Sequence, residues 1–337
     1  MTAMLRVLRA GPACTVQDAG RHGWLRYGVT PAGPMDWIGH AAASLLAGNP
    51  EGGAALEIGP GGLDLTAEDG CIRLGLSAPG FAVTRDAAPL PCRAALTLHP
   101  GQILSIRPAA SHVWAYLAAA GGFDLTPVMG SLSTHLRSGI GPLDGGAVLA
   151  GTALPCSAAP EGADLGLPEA APPRDTLRFV PGPQQDAFTE AGFAAFCAGP
   201  YRLTPRSDRM GYRLEGPAIA HARGHDIVSD GIALGAIQVP GDGQPIILMA
   251  DRQPTGGYPK IGTVIRADLP ALAQSRPGRV LRFRPVTVDE AVAALRAALA
   301  EVRALAGALR PLSSGLDLEK LATGDHASGF IDARGPA

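Results

Sequence analysis

Along most of the chain, apolar residues come in short runs that glycine or proline cuts off. Residues 72–78 (IRLGLSA), 176–182 (TLRFVPG), 245–250 (PIILMA) and 279–285 (RVLRFRP) are of this kind. Runs of about four to eight residues with such borders predict β-strands. Three stretches instead predict helices. Residues 36–49 open on Asp36, a capping type of residue, place Trp37, Ala41 and Leu45 on one side, and stop at Gly48 and Asn49. A shorter helix is expected over residues 186–198. In residues 287–310, Thr287 and Glu290 have capping-box spacing, and Val288, Val292, Leu295, Leu299, Val302 and Leu309 recur at helical intervals. The alanine-rich back of that helix suits packing against a barrel or another subunit.

The strand-forming segments also repeat. Residues 100–108 (PGQILSIRP) match 277–285 (PGRVLRFRP), 177 positions on, and 27–34 (YGVTPAGP) match 210–217 (MGYRLEGP), 183 positions on. More loosely, 56–62 (LEIGPGG) match 237–243 (IQVPGDG), and 7–12 (VLRAGP) match 177–183 (LRFVPGP). Four matches in order at a nearly constant offset imply an old tandem duplication, and a period this long means two similar domains side by side. Two closed or nearly closed β-barrels would protect so many strand edges. The expected units are residues 1–172, 173–286, and a C-terminal helix with its tail over 287–337. The segment PPRD (172–175) is the linker, and residues 109–155 are an insertion in the first half.

Composition narrows the function. The chain has 337 residues, 46% hydrophobic and 17% charged, which is the balance of a globular protein. A net charge of −2 offers no basic field for nucleic acid. Cys14, Cys71, Cys92, Cys156 and Cys197 are odd in number and form no CxxC pair, so a disulfide framework or zinc knuckle is not expected and a reducing cytoplasm is. No stretch is long and apolar enough for a signal peptide or a membrane span.

Several common chemistries are missing from the motifs. Neither lysine of the chain, Lys260 or Lys320, sits in a GxxxxGK[ST] loop, so the chain has no standard ATP site. No GxGxxG opens a helix after a strand, and no GxSxG occurs. His221 and His225 (HARGH) have metal-pair spacing but no evident third ligand, so no metal site is expected. What remains is polar residues grouped around glycine. SDRMGYR (207–213) supplies Asp208, Arg209 and Arg213. ADRQPTGGYPK (250–260) supplies Asp251, Arg252, Gln253, Thr255, Tyr258 and Lys260, with Gly256 and Gly257 allowing close backbone approach to a ligand. GSLSTHLR (130–137) offers Ser133 and His135, and GPMD (33–36) offers Met35 and Asp36 before the first helix. Gln238 stands in an otherwise apolar strand, where its amide needs a partner, in the core or on a ligand.

Together these segments resemble the biotin-dependent carboxyltransferase family, represented by the C subunit of 5-oxoprolinase and by the second allophanate-hydrolase-like segment of urea carboxylase. TVQDAGRHGW (15–24), GVTPAGPMD (28–36), STHLRSGIG (133–141), DRMGYRLEGP (208–217), residues 229–265 and DLPALAQSRPG (268–278) carry the resemblance, over about residues 3–285. Pro254 departs from the threonine of the family's DRQTTGGYP pattern. The resemblance implies two cyclophilin-like β-barrels, a partner of the B-subunit family, and in the oxoprolinase system a further A subunit. That complex opens the lactam of 5-oxoproline to glutamate at the expense of ATP. The alternatives implied are the carboxyltransferase component of a biotin-dependent urea or amide carboxylase, and a regulatory binding protein acting through a kinase inhibitor. No Met–Lys–Met carrier motif occurs, so any biotin would arrive on another chain. Residue chemistry assigns charge stabilisation of the amide oxygen to Lys260 and Arg252, proton or orienting roles to Asp208 or Asp251, and substrate positioning to Gln238 and Tyr258.

Overall fold

A computed structural model describes residues 2–109, 111–158 and 162–312. Lys320 and the rest of the expected C-terminal tail lie outside the described residues. The protein is mainly β, with α1 at Trp37–Leu46, α2 at Glu190–Ala198, α3 at Leu269–Ala273 and α4 at Val288–Ala304.

The four strand-like runs are strands: Ile72–Ser77, Thr176–Pro181, Ile246–Leu248 and Val280–Pro285. In the second half they close a seven-stranded barrel with Lys260–Val264, Ala236–Gln238, Gly211–Glu215 and Tyr201–Leu203. Closure comes where Val280–Pro285 runs parallel to Thr176–Pro181. The first half makes a six-stranded sheet and six strands of a seven-stranded one. Both enclose one core, to which alternate residues of facing strands contribute, such as Leu5, Val7, Leu63, Leu65, Leu74, Leu76, Leu104 and Ile106.

A second core crosses between the halves. Phe179, Ile237, Ile247 and Phe283 from the barrel share it with Met35, Ala43, Trp114 and Tyr116 from the first half. The second half is therefore seated on the outer side of the seven-stranded sheet, where α1 lies. Arg310–Pro311 then pairs with Leu165–Gly166 at that sheet's edge, which carries the chain end back to the first half.

Caps place the helices where the pattern expects them, with differences at the ends. Asp36 accepts from the N–H groups of Ile38 and Gly39, which fixes the start of α1. α2 begins at Glu190 and not at residue 186, because Thr189 caps it and residues 185–187 form a 3-10 turn. α4 has the full capping box of Thr287 and Glu290, but it ends at Ala304, short of residue 310. Its buried face also differs from the expected valine and leucine stripe. Val288 is 61% and Val292 40% exposed, whereas Val302 is buried as expected and Ala298 is buried beside it, so the stripe packs only along the second half of the helix.

Three of the four repeated pairs are strands in both halves. The fourth is not: residues 27–34 hold a 3-10 turn and coil, whereas Gly211–Glu215 is a strand. Pro31 and Pro34 lack the N–H that a ladder needs. The repeated strands also differ in their neighbours. Ile103–Pro108 runs antiparallel to both of its own.

Candidate active site around the turn at residues 249–252

The strand Ile246–Leu248 ends in a tight turn. The Arg252 N–H donates to Met249 O at 3.2 Å, and the Asp251 N–H donates to Arg209 O at 2.8 Å. Both side chains are buried, yet they meet different partners.

Asp251 faces the junction of the halves. Arg209 donates to both of its oxygens, Nε to Oδ2 and Nη2 to Oδ1, each at 2.8 Å. The same guanidinium donates to Gly33 O at 2.8 Å and to Glu57 Oε1. Glu57 Oε2 accepts in turn from the Met35 N–H at 2.7 Å and the Tyr116 hydroxyl at 2.8 Å. A charge buried this deeply persists only with partners on its lone pairs. Burial pushes the Glu57 carboxyl up from its usual range, against the opposing pull of Arg209 and those two donors. Burial alone would lower Arg209, but Asp251 and Glu57 overcome it and hold the guanidinium charged. His135 approaches the Asp251 carbonyl at 3.4 Å through Nε2. Its Nδ1 is buried without a partner among the described residues.

Arg209 and Asp251 line a cavity of about 450 Å³ with apolar walls that include Trp114, Leu203, Met210 and Tyr212, while Asp208 and Arg137 bring charge to it. Asp208 is exposed, and its Oδ1 closes a turn by accepting the N–H groups of Met210 and Gly211. Its other oxygen has no partner among the described residues.

Arg252 turns the other way. It donates from Nε to Ile232 O at 3.2 Å and from Nη1 to Met249 O at 3.5 Å. No carboxylate pairs with it among the described residues. Burial therefore pulls this guanidinium down to about 10, only partly resisted by Asp251. Beyond it the chain forms a two-stranded ribbon, Thr255–Gly256 paired with Asp230–Gly231. At the ribbon's foot Lys260, 2% exposed, starts a barrel strand. Its Nζ donates to Asp230 Oδ2 at 2.9 Å, and Gln184 Nε2 donates to the same oxygen at 3.2 Å. Lys260, the Gly231 N–H and Gln184 together hold the Asp230 carboxyl below its usual range, so it stays ionised. Gln238 is paired with Lys260 on the neighbouring barrel strand and reaches Tyr258 O at 3.5 Å. A Cβ on Gly256 would come within 2.7 Å of Gln238 Nε2 and of Ile232, so glycine is required there for space.

The sequence groups are thus split. Asp208, Arg209, Asp251 and His135 gather at the junction, whereas Arg252, Gln238, Gly256 and Lys260 gather at the ribbon. Gln253, Thr255, Gly257 and Tyr258 lie along the ribbon loop, with Tyr258 40% exposed. Other expected ligand contacts have structural partners instead. Ser133 Oγ is bound to Asp18 at 2.6 Å, and Asp18 is held low, against its own burial, by Ser131 and Ser133. Met35 serves Glu57 through its backbone, and Asp36 caps α1 while accepting Gln274 Nε2 at 2.8 Å. Arg213 is exposed on its strand. His221 Nε2 meets Val239 O at 3.0 Å, and no three metal-binding side chains cluster among the described residues.

Sequence reasoning missed Glu57, Tyr116, Asp230, Gln184 and Arg137. Glu57 carried the signal that marked Gln238, a polar group in an apolar strand. Asp230 carried none, because its role depends on pairing with residue 256.

The model of the carboxyltransferase domain, subdomains A and B, matches residues 27–285. The chain is 38% identical to the 5-oxoprolinase C subunit of Escherichia coli over 86% of its own length and 94% of that protein. It is 35% identical to the 5-oxoprolinase C subunit of Haemophilus influenzae, covering 86% and 93%. Among solved structures, the urea amidolyase of K. lactis is similar with a TM-score of 0.82 at 26% identity, over 89% of this chain and 20% of that one.

Proposed function

The chain belongs to the family of carboxyltransferase domains built from subdomains A and B, and we propose that it is the C subunit of an ATP-dependent 5-oxoprolinase. In that complex it helps to open the lactam of 5-oxoproline to L-glutamate, together with a partner of the B-subunit family and with an A subunit. The likeness along nearly the whole of two bacterial C subunits carries this reading. The ribbon site supports it.

A lactam is unreactive because its nitrogen delocalises onto the carbonyl oxygen. Activation places negative charge on that oxygen, and a preorganised cation stabilises it. Lys260 is such a cation: buried, oriented by Asp230, and backed by Gln238. Arg252 adds a second cation that no carboxylate of the site neutralises. Asp251 orients the turn through Arg209 and moves no proton, since both of its oxygens are already engaged. Asp208, with one oxygen unpartnered among the described residues, is the group able to take one, at the junction cavity and not at the ribbon. ATP is consumed by the complex and not at a site in this chain.

A second reading, the carboxyltransferase part of a urea or amide carboxylase, draws on the likeness to the urea amidolyase fold and on the junction cavity. Its apolar walls and the charges of Arg137 and Asp208 suit a bicyclic ureido ring, so biotin carried by another chain would be held there. The regulatory reading has no comparable support.

Purifying the chain with the products of its genomic neighbours and measuring glutamate release from 5-oxoproline separates these readings. Release that needs ATP and all subunits is expected, with no turnover by this chain alone. ATP-driven ring opening by the isolated chain, or carboxylation of urea without glutamate release, would overturn the assignment.

A further inference from the structure

A second cavity, of about 430 Å³, lies between α1, α3 and α4 and the linker before the barrel. No residue of the ribbon site lines it. Its space follows from sequence: α4 presents Ala294, Ala297 and Ala298 to it, where larger residues would fill the gap.

The cavity wall contains Arg93, itself only 8% exposed. This guanidinium donates from Nη1 to Pro168 O at 2.8 Å and makes no ion pair among the described residues. Its Nε is buried with no partner among the described residues, and burial lowers its affinity for a proton. Two neighbouring charges are already committed. Arg178 is bidentate on Asp268, and Asp36 is occupied by the α1 cap and Gln274. His112 lines the same cavity and meets Ser111 Oγ at 2.8 Å through Nδ1. Burial and two neighbouring arginines keep that imidazole neutral. A neutral ring accepting a hydroxyl at Nδ1 carries its proton on Nε2, as a donor.

We propose that this cavity is a second binding site, for a small monoanionic carboxylate seated on Arg93. One buried cation that no carboxylate hydrogen-bonds among the described residues, and on which Asp36 acts only at a distance, calls for one negative charge. The acidic groups of Asp36, Glu169 and Glu301 in the same lining disfavour a dianion. A planar carboxylate also matches the free edge of a guanidinium.

The test is calorimetric titration of the full chain with sodium acetate, L-glutamate and inorganic phosphate, at constant ionic strength set by chloride. Saturable binding of acetate or glutamate, tighter than phosphate, is expected. Binding of both carboxylates points to the carboxylate alone, and binding of glutamate only points to an ammonium on Glu169 or Glu301 as well. Arg93→Gln should weaken the binding at least about tenfold, the scale for losing a charged hydrogen bond. Because Arg93 also supports the linker, Ala294→Leu is the second variant: it fills the cavity from α4 and should abolish binding in a folded protein. Lys260→Met should leave binding unchanged, which separates this site from the ribbon. No saturable binding, tighter binding of phosphate, or full binding by Ala294→Leu would overturn the proposal.

Discussion

Replacing Arg252 by methionine tests whether the ribbon site is kept for chemistry or for stability. The folded protein holds this guanidinium at about 10, well below the usual arginine range, with burial as the cause. That drop corresponds to a cost of about 3 kcal/mol for keeping the cation inside. Two long hydrogen bonds, at 3.2 and 3.5 Å, return roughly 1 kcal/mol each. Methionine keeps most of the methylene contact. The balance predicts that Arg252→Met is as stable as the parent or more so, by up to about 1–2 kcal/mol, with a melting temperature raised by roughly 2–6 °C. Turnover of the assembled complex should nevertheless fall about a hundredfold or more, the scale for losing a stabilising donor. Urea unfolding of both proteins and steady-state assays give the two numbers. The pH dependence supplies an independent sign. A base whose folded pKa is depressed favours the folded state as pH rises between its folded and unfolded values. The parent should therefore gain on the variant as pH rises above about 10 toward the unfolded value. A variant destabilised by more than about 2 kcal/mol would show that the two carbonyl contacts outweigh burial, and would refute this reasoning.

Other expectations follow from the same geometry. Lys260→Met in the complex should leave the thermal melt nearly unchanged and cut turnover about a hundredfold, and full activity would reduce the ribbon to a surface loop. Arg209→Met strands Asp251 and Glu57 in the interior, so it should cost about 3–5 kcal/mol and on the order of 10 °C, seen by calorimetry even in the isolated chain. Glu57→Gln tests the raised carboxyl. A folded pKa above the unfolded one adds stability that is fully present below the unfolded value and is lost as pH rises through the folded one. The parent should gain on this variant as pH falls from neutral toward the unfolded value near 4.5, and the opposite trend in paired melts would exclude it.

What the sequence shows of this molecule follows the range of each interaction. Strands bordered by glycine and proline, the α1 cap at Asp36 and the capping box of α4 are decided within a few residues, and they are where the pattern places them. The buried face of α4 is not decided so. Val288 and Val292 would extend the apolar stripe, but the surface that α4 meets is distant in sequence and begins only at its second half, where Ala298 and Val302 are buried. The candidate site divides in the same way. Lys260 and Arg252 stand out by type, as a rare lysine and a charge after an apolar run. Their surroundings do not, because Asp230, Gln184 and Ile232 reach them only once the ribbon has paired. The Asp–Arg neighbours of residues 208–209 and 251–252 show how a local reading misleads. Within each pair the residues look like ion partners, yet Arg209 bonds Asp251, Arg252 bonds carbonyls, and Asp208 closes a turn. A buried arginine shared by two carboxylates from different halves ties the halves to each other and fixes the turn on which Arg252 is carried. The stability of the junction thereby supports a cation that, on its own, the fold would be better without.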